Sequence, residues 1–112
     1  HWVWFVFPQL KGLGHSYNSK YYGIGSIDEA EAYLDDDVLR KRLVAVCMEL
    51  MSQVEDHGLT ARRVLGGIDA MKVKSCLTLF DAVSPNDIFG KCLDACYSGE
   101  RDFRTLDLLR SY

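Results

Sequence analysis

The chain has 112 residues, 48% apolar and 26% charged, with 13 Lys and Arg against 16 Asp and Glu for a formal net charge of -3. That is the size of one domain, with enough apolar residues to exclude a disordered chain. No run approaches the ~18 apolar residues of a membrane span, and the basic excess or clustered basic stripe of a nucleic-acid binder is missing.

The first ten residues, His1-Trp2-Val3-Trp4-Phe5-Val6-Phe7-Pro8-Gln9-Leu10, are a dense aromatic run. Aromatic and β-branched residues favour extended backbone. No second run of this character exists to pair with it, and one strand makes no sheet. The run therefore reads as a short buried helix or an extended segment laid across a helical core. It lacks the positive stretch of a secretory leader. An apolar run beginning at residue 1 predicts a further native segment upstream that helps to cover these rings. Residues 11–25 carry Gly12, Gly14, Gly23 and Gly25 and read as a loop, in which Tyr17, Tyr21 and Tyr22 are more than a connector needs.

Helix signals begin at Ser26-Ile27-Asp28-Glu29, a capping box that opens a helix to about Leu34. Asp36 or Asp37 caps the next helix. There Val38, Leu39, Leu43, Val46, Cys47, Leu50, Met51 and Val54 recur at spacings of three and four, and His57-Gly58 ends it. Thr60 caps a short helix over 61–65, closed by Gly66-Gly67. Asp69 is expected to open a helix running to Val83. Its apolar positions (Ala70, Met71, Val73, Cys76, Leu77, Leu79, Phe80, Val83) nearly encircle the axis, which predicts a central buried helix. Ser84-Pro85 reads as a cap followed by proline at the first helical position, opening a helix to about Tyr97. Asp102 caps a last helix containing Phe103, Leu106, Leu108 and Leu109. The expected fold is a single all-α domain of about six short helices spanning 1–112, with the aromatic N-terminal segment packed on the central helix.

The four cysteines, Cys47, Cys76, Cys92 and Cys96, stand at spacings of 29, 16 and 4, unlike a zinc ribbon or a C-x-x-C redox pair. They read as reduced, small hydrophobic side chains of a cytoplasmic protein. No phosphate-binding loop, nucleophile elbow or zinc-protease motif is present. The three histidines lack ligand spacing, so neither a metal nor a cofactor is assigned, and no catalytic residue is named.

Three features could carry chemistry. The aromatic run offers Trp2 and Trp4 as faces for a planar ring, with His1 and Gln9 to orient it; its plainer role is as a core anchor. Lys72, Lys74 and Ser75 sit on an otherwise apolar helix. The lysine stems either snorkel to solvent or pair with Asp69 and Asp81, or Lys72, Lys74, Ser75 and Thr78 line a polar notch for an anion such as phosphate. Tyr22, with Tyr21, either packs the loop on the core or walls a site with its hydroxyl.

The opening decapeptide resembles the H-W-x-W-F-x-F-P-Q-L signature of a small, mainly bacterial family of unknown function, some of whose members are labelled calpastatin. The resemblance extends through Tyr22 to Leu34, through Lys72-Val73-Lys74-Ser75-Cys76-Leu77-Thr78-Leu79-Phe80, and to Asp102-Phe103-Arg104-Thr105-Leu106. It implies an all-α fold, a further helix upstream of residue 1 and little about activity. Lys74, Cys76 and Leu77 stand where the family usually has Arg, Ser and Met, and a lysine keeps the charge of an arginine but loses its fork. A fainter similarity of the opening is to helical enzymes that release ADP-ribose from its adducts. The leading expectation is a domain that binds, and perhaps hydrolyses, a nucleotide such as ADP-ribose or NAD, through His1, Trp2, Trp4, Gln9, Tyr22, Lys72, Lys74 and Ser75. The rival is a non-catalytic protein-interaction module whose aromatic segment is purely core. No membrane partner is expected, and the acidic balance argues against nucleic acid.

Overall fold

The computed structural model describes residues 24–110, and five of the six helices there start at a side chain that caps them. Helix α1 (Ile27–Asp35) opens where Ser26 Oγ accepts the Glu29 amide at 3.1 Å. Glu29 closes the box one residue further back than expected, accepting the Gly25 amide at 3.0 Å. Asp36 then ends α1 and caps α2 (Asp37–His57), its Oδ1 accepting the Val38 and Leu39 amides at 3.0 Å each. Gly58, at φ 64°, turns the chain out of α2 in the left-handed conformation that suits glycine. Thr60 caps α3 (Ala61–Leu65) through the Arg63 amide.

Helix α4 (Gly67–Val83) begins two residues before Asp69. Gly66 (φ 87°, ψ 159°) makes the turn and its carbonyl takes the first helical bond, from the Ala70 amide at 2.9 Å. The helix therefore starts without a side-chain cap. The start of α5 (Ile88–Tyr97) also differs from expectation. Its cap is Asp87, whose Oδ1 accepts the Ile88 amide at 2.7 Å. Ser84 donates to Asp87 Oδ2 at 2.9 Å, and Arg40 reaches the same oxygen at 2.8 Å from α2. Pro85 and Asn86 form a turn instead of a first helical step. Helix α6 (Phe103–Leu109) is capped by Asp102, as its sequence predicts.

The domain is all-α. Helix α4 packs against α1, α3, α5 and α6, while α2 lies along α5, so α4 is the central element. Val73, Cys76, Leu77, Leu79 and Phe80 on it are fully buried. The Phe80 ring lies between Tyr33 and Phe89, with centroids 5.4 and 5.6 Å away. Leu43, Cys47 and Leu50 of α2 and Phe89, Cys92 and Leu93 of α5 complete the core. Two apolar residues expected on buried stripes stay outside, Val38 at 56% and Met71 at 69% exposed, and Phe103 of α6 is exposed as well. Met71 lies on the face of α4 that borders the cleft described below. The aromatic segment His1–Leu10 lies outside the described residues.

Candidate functional site

Residues 67, 70, 71 and 74 recur at three- and four-residue steps and so form one stripe along α4. That stripe borders a cleft of about 480 Å³ between α3, α4 and α5, lined by Thr60, Ala61 and Arg62, by Gly67, Ile68, Ala70, Met71 and Lys74, and by Cys96 and Tyr97. Its floor is apolar; Arg62 borders one end, where the first turn of α4 also carries Asp69, and Lys74 borders the other. At one end the first turn of α4, which has no side-chain cap, meets Arg62, whose guanidinium packs beside Gly67: a Cβ there would lie 3.6 Å from Arg62 Nε, an ordinary van der Waals contact. The free amides of a helix's first turn and an adjacent guanidinium both attract negative charge. At the other end, seven residues and about 10 Å along the helix, stands Lys74.

Lys74 is held by Glu100, Nζ to Oε2 at 3.1 Å, with 23% of the lysine side chain and 71% of the glutamate exposed. The partners proposed for the lysines from sequence do not apply to Lys74. Asp81 instead pairs with Arg101 at 3.2 Å. An ion pair with so exposed a carboxylate is weak and exchangeable, so Lys74 remains available to an incoming anion. Lys72 is half-buried on the same helix and does not line the cleft.

Ser75 faces away from the cleft. Its hydroxyl lies 3.1 Å from the Met71 carbonyl and 3.0 Å from Asp102 Oδ2. The same Asp102 oxygen accepts the Thr105 amide at 3.0 Å and the Thr105 hydroxyl at 2.5 Å. Thr78 accepts the Asp102 amide at 2.9 Å and donates to the Lys74 carbonyl at 2.8 Å. This network docks α6 on α4, and it explains polar side chains on the buried helix without a ligand. His1, Trp2, Trp4, Gln9 and Tyr22 lie outside the described residues. Arg62, Gly67, Met71, Cys96 and Tyr97 were missed from sequence. The stripe from Gly67 to Lys74 was legible as a periodicity, whereas nothing local brings Tyr97 to it.

The cleft's own acidic hydrogens are held firmly. Burial pushes the Tyr97 phenol up, and its hydroxyl donates to the Ala70 carbonyl at 2.7 Å. The hydrogen bond to Cys92, then burial, raises the Cys96 thiol. Both groups are neutral at ordinary pH and neither is an activated nucleophile. No group of three or more His, Cys, Asp or Glu side chains suited to a metal occurs among the described residues.

Comparison with known proteins places this architecture. The model of the DUF1810 family, described as a protein of unknown function, matches residues 1–109. The chain belongs to that family. A conserved hypothetical protein of Mycobacterium tuberculosis, known from a crystal structure, is similar at 41% identity with a TM-score of 0.90 over 98% of this chain and 77% of the other. No curated protein matches the sequence.

Proposed function

We propose that this DUF1810 domain binds a phosphorylated small molecule of nucleotide type, ADP-ribose or NAD in class, in the cleft along α4. The observation that carries the reading is the pairing of an uncapped helix start and Arg62 at one end with Lys74 at the other, across an apolar floor. A helix N-terminus and a guanidinium suit a phosphate. The Tyr97 ring and the Met71 side chain suit a planar ring, and pockets of this size and composition are typical of small-molecule sites. Lys72 adds positive charge on the same helix. His1, Trp2, Trp4, Gln9 and Tyr22 supply, in this reading, further ring faces and sugar contacts. Cys96 and Tyr97 are not nucleophiles in this reading, and any hydrolysis would need water activated by His1 or a nearby carboxylate.

The test is calorimetry of the full chain with ADP-ribose and with NAD. Saturable binding is expected, weakened about tenfold or more by Arg62→Ala and by Lys74→Ala, the loss of a charged hydrogen bond of about 1.5–3 kcal/mol. Absence of heat at millimolar ligand would sink the reading. One observation favours a second: Ile68 is 73% and Met71 69% exposed at the cleft mouth, an apolar rim suited to a protein partner. In that case nucleotides give no heat, and Met71→Lys abolishes capture of the partner where Lys74→Ala does not.

A further inference from the structure

On one face of α5, Cys92 and Cys96 stand one helical turn apart with their sulfurs 4.0 Å from each other. Their environments differ in a useful way. Cys92 is fully buried, and its thiol is oriented by the Cys47 carbonyl at 3.8 Å. Cys96 is half-buried and lines the cleft beside Tyr97, so the pair can be reached from the cleft through Cys96. Both thiols stay protonated in the free protein. Contact with Cys47, together with burial, raises Cys92, and contact with Cys92, then burial, raises Cys96.

The sulfur separation suits a metal. Two metal–sulfur bonds of about 2.3 Å at a tetrahedral angle span about 3.8 Å, and at about 120° they span about 4.0 Å. The thiols therefore need almost no movement to become a chelate. A third His, Cys, Asp or Glu donor is missing among the described residues, so the pair does not suit zinc, which takes four ligands in structural sites. Soft sulfur ligands in low number suit a soft cation instead.

We propose that Cys92 and Cys96 form a two-sulfur site for a soft, thiophilic cation of the copper(I) class, entered from the cleft through Cys96. On binding, each thiol loses its proton to solvent and two sulfur–metal bonds form. The cation keeps its oxidation state, and no oxidant or reductant takes part. The site stands whether or not the cleft takes a nucleotide, because neither Arg62 nor Lys74 contributes to it.

The experiment is an anaerobic titration of the reduced full chain with Cu(I) delivered from a colorimetric chelator. One equivalent per chain is expected to leave the chelator, with near-ultraviolet thiolate-to-copper absorption and two sulfur neighbours by X-ray absorption. Cys96→Ala, at a half-buried position, should weaken capture at least tenfold, and Cys76→Ala should leave it unchanged. Less than one equivalent captured by the wild type, a sulfur count of one or of four, or undiminished capture by Cys96→Ala overturns the proposal. The wild-type stoichiometry and sulfur count decide it even where a variant fails to fold.

Discussion

Asp102 shows how one carboxylate can settle a junction. One of its oxygens accepts from Ser75 Oγ, the Thr105 amide and the Thr105 hydroxyl, and its own amide donates to Thr78. Replacing it with alanine removes the cap of α6 and leaves Thr105, fully buried, without its acceptor. Asp102→Ala should cost about 2–3 kcal/mol in urea denaturation, and a loss below about 0.5 kcal/mol would contradict this role. Asp87 makes a different prediction. The hydrogen bond from Arg40, then that from the Ile88 amide, holds its carboxyl below the usual carboxylate range. A group whose folded pKa is depressed contributes stability above its unfolded value, about 3.9, that is lost as pH falls through the folded value. Asp87→Asn keeps a capping side chain but loses the charge. It should lower stability by about 1 kcal/mol at neutral pH and by progressively less below pH 4, read from denaturation midpoints across pH. An equal deficit at pH 2 and pH 7 would contradict the assignment.

The helices were legible wherever the stop and start signals were local. Ser26, Asp36, Thr60 and Asp102 each bond an amide two or three residues ahead, so a short window of sequence contains the whole interaction. The start of α5 was not legible in this way. Ser84-Pro85 matches the cap-then-proline pattern, but Arg40 reaches Asp87 across 47 residues of chain and draws the cap to Asp87. The start of α4 is not legible from its acidic residue either: Asp69 lies inside the first turn, and the turn itself is made by Gly66. Periodicity found the buried face of α4 but overcounted it. Met71 fits the helical stripe, yet whether a stripe is covered depends on neighbouring helices that the sequence of one helix does not specify.

At the scale of the molecule, the core is organised around the ring of Phe80, fully buried between Tyr33 and Phe89. Phe80→Ala should therefore cost about 3–5 kcal/mol, measurable as a lower urea midpoint; a change under about 1 kcal/mol would place the core elsewhere. The candidate site was only partly legible. Lys74 stood out as a charge on an apolar helix, and it borders the cleft. Ser75, chosen on the same reasoning, turns inward to Asp102, since neighbours in sequence on a helix point about 100° apart. Arg62 and Tyr97 come from α3 and α5, and only the packing of those helices on α4 brings them to the same hollow. The central claim is that the first turn of α4 and Lys74 together grip a phosphorylated ligand. It is tested most directly by amide NMR of the full chain titrated with ADP-ribose. The account predicts the largest shifts at Gly67 and Ile68, with a second group around Lys74, and their loss in Arg62→Ala; a spectrum that stays still, or that moves only at residues remote from this cleft, would contradict it.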